Sequence, residues 1–151
     1  MDSILKISEA AALGLHAMIH LAGMEPGKPA AVGEIAEKLS VSENHLAKVM
    51  QRLNKAELTA SRKGPKGGFF LKKKPEDISF LDIYEAIEGP LPSNFCLLPR
   101  RMCQPGGCVL GNLLQEVYKL TAKKFGETTL ADFKPVSKKR NKQNQNQLKE
   151  E

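Results

Sequence analysis

The sequence predicts a mainly α-helical fold with one small β-hairpin, and two patterns in the 151-residue chain support this prediction. Apolar residues recur at three- and four-residue steps in five segments, which is the spacing of helices packed against a core. Two short strand-like runs flank a turn rich in glycine and proline, as a hairpin requires. Hydrophobic residues make up 41% of the chain and charged residues 26%, which is ordinary for one globular domain.

Residues 7–22 form the first predicted helix. Its apolar stripe consists of Ile7, Ala11, Leu15, Met18 and Ala22. His16 and His20 lie one turn apart on a neighbouring face. This spacing would allow the pair to bind a metal, but a place on the helix surface or at an interface is the simpler interpretation.

Two further predicted helices, residues 33–39 and 43–55, are joined by three residues, which is the helix-turn-helix arrangement. Ser42 is a suitable N-cap for the second of them. This second helix exposes side chains that can hydrogen-bond to base edges or phosphates from a DNA major groove. The predicted DNA contacts of this helix are Ser42, Glu43, Asn44, His45, Lys48 and Gln51.

A basic hairpin is predicted directly after the helix-turn-helix. Residues 58–62 and 69–73 are strand-like, and the connection KGPKGG permits a tight turn. A helix-turn-helix followed by such a hairpin predicts a winged helix, whose wing lies on the DNA backbone or in a minor groove. We therefore predict that Arg62, Lys63 and Lys66 also contact DNA.

Charge is unevenly distributed along the chain. Residues 28–74 carry eleven Lys and Arg against four acidic residues, a net charge of +7. Residues 1–27 carry −2, residues 75–133 carry −3 and residues 134–151 carry +4. A basic middle block between two acidic ones indicates a polyanionic partner, and double-stranded DNA is the obvious candidate.

The second half of the chain predicts a capped helix over residues 79–88 and a long helix over 109–125. The apolar stripe of the long helix either packs within the subunit or pairs with a second copy. Paired half-sites are common for helix-turn-helix proteins, which favours a homodimer and a C-terminal dimerisation helix. We predict a winged-helix DNA-binding and dimerisation domain over residues 1–133, and a disordered basic and polar tail over 134–151.

All three cysteines, Cys96, Cys103 and Cys108, lie in the predicted loop 92–108. An odd number cannot form a closed set of internal disulfides, and the spacing lets the three sulfurs converge. Thiolates are ligands for iron–sulfur clusters and for zinc. The N-terminus does not have the pattern of a signal peptide, and no apolar run is long enough to span a membrane. We therefore expect a cytoplasmic protein with reduced thiols.

Five features of the chain occur together in one known family. They are EIAEKLSVSENHLAKVMQRLNKAEL, RKGPKGGFFL, DISFLDIYEAIEG, the three clustered cysteines and TLADF, which together span most of residues 7–133. In this combination the chain resembles the winged-helix transcription regulators typified by the iron–sulfur regulator IscR and the nitric-oxide sensor NsrR.

The resemblance implies a homodimeric, sequence-specific DNA-binding regulator, usually a repressor, and not an enzyme. It implies that Cys96, Cys103 and Cys108 bind an iron–sulfur cluster, and we expect a [2Fe–2S] rather than a [4Fe–4S] cluster. In such regulators the DNA affinity responds to redox state, nitric oxide or iron–sulfur status.

The chain departs from the family where the fourth cluster ligand belongs. Relatives use a histidine after the third cysteine or a carboxylate near the start of the first helix, supplied by the other subunit. The corresponding residues are Gly111 and Ala12, which cannot be ligands. Glu9, His16, solvent or a small thiol remain open as the fourth ligand. Glu57 is a second departure, because relatives usually carry glycine at this position before the wing.

Other functions remain open beside this one. In one alternative, the cysteines bind zinc or act as a metal-free thiol redox switch in the same DNA-binding protein. An enzyme with a cysteine nucleophile would need a nearby base, and the histidines, His16, His20 and His45, are remote in sequence. A protein-interaction adaptor that has lost DNA contacts is disfavoured by the basic wing.

Overall fold

The computed structural model describes residues 7–91, 110 and 112–133. The predicted cysteine loop, Gly111 and the C-terminal tail lie outside these residues. The helices are α1 (Glu9–Ala22), α2 (Val32–Leu39), α3 (Glu43–Lys55), α4 (Phe80–Glu88) and α5 (Leu113–Glu127), and the strands are β1 (Thr59–Arg62) and β2 (Gly68–Leu71). Short 3-10 helices occupy Pro75–Asp77 and Leu130–Asp132. The prediction of a mainly α-helical fold with one small hairpin is confirmed.

Helix α1 begins two residues later than predicted because Ser8 caps it. The backbone N–H of Ala11 donates to Ser8 Oγ over 3.1 Å, which satisfies one of the unpaired donors at the helix start. Ile7 therefore precedes the helix and is exposed. The buried face of α1 is broader than the predicted stripe and consists of Ala11, Leu13, Gly14, Leu15, Ala17, Met18 and Leu21.

The core lies between α1, α2, α3 and α4. Leu46, Val49, Met50 and Leu53 of α3 are each at most 2% exposed, so this helix has one fully buried face. They join one hydrophobic cluster with side chains from the other elements, among them Ile35, Ile78, Ile83, Ile87 and Leu130. This single core fixes α3 relative to its neighbours on three sides.

The hairpin is antiparallel, with Thr59 opposite Leu71 and Arg62 opposite Gly68. Its outer edge is extended by one more residue pair. Ala30 and Phe69 each donate a backbone N–H to the other's carbonyl oxygen over 2.9 Å. The strands are shorter than predicted, but the hairpin is tied to the chain just before α2.

Helix α4 is capped by Ser79 in a reciprocal arrangement. The N–H of Asp82 donates to Ser79 Oγ over 3.1 Å, and the N–H of Ser79 donates to Asp82 Oδ2 over 2.8 Å. Both groups are satisfied locally, as the sequence predicts for Ser79.

Helix α5 starts four residues later than predicted. It contacts α4 through Phe125, whose ring centroid is 5.8 Å from that of Tyr84. No residue of α5 is fully buried, and the side chains of Leu113 and Leu120 are 52% and 70% exposed. Among the residues that the structure describes, no helix is long and apolar enough to cross a bilayer.

Candidate nucleic-acid interface

The turn between α2 and α3 has the geometry of a helix-turn-helix. Ser40 adopts a left-handed conformation (φ 56°, ψ 45°) that ends α2. The N–H of Val41 donates back to the Ala36 carbonyl over 3.0 Å, which closes the end of α2. Ser42 then caps α3, because its Oγ accepts the N–H of His45 over 3.5 Å. Three residues thus end α2 and begin α3.

The outer face of α3 carries three of the predicted DNA contacts. Asn44, Lys48 and Gln51 are exposed and lie at positions i, i+4 and i+7, so they share one face. The opposite face is held in the core. This fixes the axis of the helix while its polar side chains remain accessible.

The other three predicted contacts of α3 have neighbours within the protein. Ser42 uses its oxygen as the helix cap, while its hydroxyl hydrogen can still donate outward. The Glu43 carboxylate lies beside Gly33 at the start of α2. His45 is half-buried, and its Nδ1 is 3.8 Å from Oε1 of Glu9. The start of α3 therefore lies against α1 and α2.

The glycines of the hairpin turn are required by its backbone. Gly64 has φ 107°, and its carbonyl accepts the N–H of Gly67 over 2.9 Å. A Cβ on Gly67 would clash with the Arg62 carbonyl. Gly68 has φ 146°, and a Cβ there would clash with the backbone of Ala30. These constraints explain the GxxGG pattern of the hairpin.

The basic residues of the hairpin are exposed at its tip. Arg62, Lys63 and Lys66 are all solvent-accessible. The Arg62 guanidinium lies 5.8 Å from the ring centroid of Phe70, which orients it along the strand. Within the described ranges, no carboxylate forms an ion pair with any of the three. The tip therefore presents uncompensated positive charge.

Glu57 is in a left-handed conformation with φ 60°, a region of backbone conformation that glycine adopts more readily than other residues. Its exposed carboxylate accepts a hydrogen bond from Lys72 Nζ over 2.7 Å, and this bond lowers the pKa of Glu57. Sequence reasoning did not find this pair, because the partners are fifteen residues apart.

Arg52 is a second residue that sequence reasoning missed. Its Nη1 donates to the carbonyl oxygen of Ile87 over 3.2 Å and so joins the last turn of α3 to the end of α4. The sequence shows a basic residue near the end of a helix but gives no sign of its partner.

The candidate cluster ligands are only partly described. Cys96, Cys103 and Cys108 lie outside the described residues. Of the two side chains among the candidate fourth ligands, Glu9 lies beside His45, and the Nδ1 of exposed His16 is 2.7 Å from the Ala12 carbonyl oxygen. Among the described side chains, no group of three or more His, Cys, Asp and Glu could hold a metal ion.

His20 lies in a different environment from His16. Burial lowers the pKa of His20, the charge of Lys38 lowers it further, and Glu34 opposes both. Its Nε2 is buried and has no hydrogen-bond partner among the described residues. His16 is exposed on the helix surface, as the simpler interpretation of the pair predicts, whereas the half-buried position of His20 departs from it.

Comparison with known proteins identifies one family. The family model described as Rrf2, iron-dependent transcriptional regulator, matches residues 7–135. BadM of Rhodopseudomonas palustris, a proposed HTH-type transcriptional regulator, is 36% identical over 84 residues. These residues cover 56% of this chain and 53% of BadM, so the match spans about half of that relative. A proposed HTH-type transcriptional regulator of Aquifex aeolicus is 32% identical over 111 residues, covering 72% of this chain and 77% of the relative.

Solved structures of two regulators share the fold. CymR, the global cysteine regulator of B. subtilis, has a TM-score of 0.72 and 29% identity, covering 85% of this chain and 95% of CymR. IscR of T. potens has a TM-score of 0.68 and 31% identity, covering 85% of each chain. The oxidised form of Staphylococcus aureus CymR has a TM-score of 0.68 and 28% identity, covering 83% of this chain and 93% of that one. The predicted winged helix-turn-helix is confirmed by these matches.

Proposed function

Because the chain belongs to the Rrf2 family of DNA-binding transcriptional regulators, we propose that it is a homodimeric, sequence-specific repressor controlled by an iron–sulfur cluster. The observation that carries the DNA-binding part is the exposed polar face of α3 beside an uncompensated basic wing. The cluster-dependent part rests on the three clustered cysteines and on the similarity to IscR of T. potens.

In this proposal the outer face of α3 enters the major groove. Asn44 and Gln51 carry amides that can pair with adenine, and Lys48 can donate to guanine or to a phosphate. Ser42, Glu43 and His45 at the start of the helix contribute to the same surface. Arg62, Lys63 and Lys66 bind the DNA backbone or enter the minor groove, as the wing of a winged helix does.

The homodimer is supported by the uncovered face of α5. Leu113 and Leu120 expose most of their side chains although they lie in an apolar stripe with Leu114 and Val117. Fully burying one leucine contributes about 1.5–3 kcal/mol, so pairing two such stripes would provide a substantial driving force. Pairing through α5 would place the helix-turn-helix units of two subunits in one dimer, which could then bind two DNA half-sites.

The cysteines Cys96, Cys103 and Cys108 would hold the cluster. Three thiolates are a suitable donor set for an iron–sulfur cluster, although zinc accepts the same ligands. A bound cluster would supply a centre that reacts with oxidants and nitric oxide. Control by the cluster requires the cluster-bound and cluster-free forms of the protein to differ in their affinity for DNA.

The experiment that tests cluster control begins with anaerobic purification and a visible absorption spectrum, with iron, acid-labile sulfide and zinc assayed on the same sample. We expect a coloured protein with iron and sulfide, and a changed dissociation constant for a selected DNA duplex after the cluster is removed. Cys103→Ala should lose the cluster, keep the fold and dimer, and show the DNA affinity of the stripped protein. Unchanged affinity in a cluster-free Cys103→Ala protein would reject cluster control.

The DNA surface is tested by pairing two kinds of variant with one control. Gln51→Ala should relax sequence preference, costing about 1–3 kcal/mol on the preferred site. Lys66→Ala should weaken all sequences equally and reduce the slope of log K against log salt by about 1. Lys119→Ala removes the same charge from exposed α5 and should change neither quantity. Equal effects of all three variants would contradict the proposed surface.

A second candidate keeps the DNA-binding protein and changes the sensor. The similarity to the oxidised form of S. aureus CymR favours cysteines that act as a metal-free redox switch, and zinc binding is the related alternative. A colourless protein that stays free of iron after reconstitution would support this candidate. Zinc in the assay would then indicate a metal site, whereas a DNA response to peroxide in the presence of a chelator would indicate bare thiols.

A further inference from the structure

We infer that Arg52 is the positioning residue that couples the cysteine segment to the DNA-reading helix, by holding the end of α4 against α3. This inference rests on the proposed function and specifies how its regulation reaches the DNA surface. Arg52 is not among the predicted DNA contacts.

The contact joins the last turn of α3, which follows the predicted DNA contacts, to the end of α4, which precedes the cysteine loop. Arg52 lies in the last turn of α3, one position after Gln51, and its Nη1 donates to the Ile87 carbonyl over 3.2 Å. Ile87 is the penultimate residue of α4, and Pro92, the first residue of the predicted cysteine loop, follows five residues later. The cysteine segment is therefore only a few residues from this contact along the chain, and a displacement of that segment would act close to Arg52.

The chemistry of the contact makes it specific. The Ile87 carbonyl is one of the last carbonyls of α4, which have no acceptor role within the helix. A cation is favourable at this negative end of the helix dipole, and α4 has no basic residue in its own last turn. Arg52 supplies both the donor and the charge from the neighbouring helix.

Apolar packing at the same residue makes the junction rigid. The Ile87 side chain fills the space that a Cβ on Gly14 would occupy, and Val49 of α3 lies against the same point. The adjacent Glu88 carboxylate accepts a hydrogen bond from the Ser8 hydroxyl. The end of α4 thus contacts both α1 and α3. A shift of that end would therefore change the position of α3 relative to α1.

The test compares cluster-loaded and cluster-stripped full-length dimer binding to a DNA duplex that the wild-type protein selects from a random pool. The quantity measured is the ratio of the two dissociation constants. In Arg52→Met we expect this ratio to fall at least about threefold towards one, because one coupling contact is lost. Arg52→Lys keeps a cationic donor and should restore part of the ratio.

Lys55→Met is the matched control. Lys55 lies in the same last turn of α3 and is exposed, and its loss changes the charge of the helix equally. It should leave the ratio unchanged. Ile87→Val loosens the same junction from the α4 side without touching charge, and it should lower the ratio in the same direction as Arg52→Met. This variant carries the test if Arg52→Met does not fold.

The outcomes separate this inference from the proposed function. An equal loss of affinity in both states of Arg52→Met, with the ratio kept, would make Arg52 a phosphate contact and overturn the inference while cluster control stands. A wild-type ratio of one would overturn cluster control and the inference together. A reduced ratio in Arg52→Met and Ile87→Val, with Lys55→Met unaffected, is the expected result.

Discussion

Helices α3 and α5 carry similar apolar patterns and have opposite environments. The four apolar residues on the inner face of α3 are at most 2% exposed, whereas Leu113 and Leu120 of α5 are 52% and 70% exposed. Both helices have apolar residues at three- and four-residue steps. The difference teaches that periodicity predicts a helix with one apolar face but not which surface covers that face. For α3 the cover is the same chain, and for α5 we propose a second copy.

The largest expected effect is in a matched pair of leucine truncations. Leu46→Ala should lower the free energy of unfolding by about 2–5 kcal/mol, because Leu46 is fully buried and the cavity cannot be filled. Leu120→Ala should cost less than about 0.5 kcal/mol in dilute protein, where its side chain is in water. Denaturant unfolding at low and high protein concentration measures both.

The concentration dependence then sharpens the comparison. If α5 pairs with a second copy, the cost of Leu120→Ala should grow as the protein concentration is raised. A cost equal to that of Leu46→Ala at every concentration would mean that α5 is covered within its own chain.

Gly68→Ala should have the next largest effect, because the new methyl group meets the backbone of Ala30 at a positive φ. We expect a loss of about 2–3 kcal/mol and a displaced wing. Gly27→Ala is the control, since Gly27 also has a positive φ (75°) but open space around it; it should cost only about 1 kcal/mol. Thermal unfolding measures the stability of both variants. Gly27→Ala has only the backbone strain of a positive φ, whereas Gly68→Ala adds a steric clash, so equal losses of stability would contradict the close approach of the wing to Ala30.

Thr59→Val should stabilise the fold by about 1 kcal/mol. Thr59 is 2% exposed, and its hydroxyl has no hydrogen-bond partner in the part of the chain described. Removing an unsatisfied buried polar group recovers part of its desolvation cost. Thr128→Val is the counterpart, because the Thr128 hydroxyl donates to the Lys124 carbonyl over 2.7 Å and its loss should be neutral or slightly destabilising. A destabilised Thr59→Val protein would show that this hydroxyl has a partner.

The smallest effect concerns pH. Burial lowers the pKa of His20, so the folded protein binds a proton at this site less readily than the unfolded chain does. The stabilising contribution is therefore present above the unfolded pKa, near 6.5, and is lost as the pH falls through the lower folded pKa. His20→Gln should flatten the decrease of Tm between pH 8 and pH 5, as measured by thermal unfolding across that range.

Sequence reasoning predicted the features that local chemistry determines. Ser42 and Ser79 were recognisable as caps because a side-chain oxygen before an apolar pattern satisfies the helix start. The pairing of Ala30 with Phe69 and the bond from Arg52 to Ile87 join residues more than thirty positions apart. Nothing in either local sequence indicates its partner. The same reasoning identified the outer face of α3 as the candidate site but could not show that His45 is turned towards Glu9.

The closed turn of the wing has a consequence for protein engineering. Gly64, Gly67 and Gly68 permit the path of its backbone, in which the 64–67 hydrogen bond closes the turn and Gly68 lies against the backbone of Ala30. The side chains at position 63, just before Gly64, and at positions 65 and 66, between Gly64 and Gly67, are exposed. Substitutions at these three positions can therefore change the charge and size of the wing, and with them the affinity for DNA, without disturbing the fold of the hairpin.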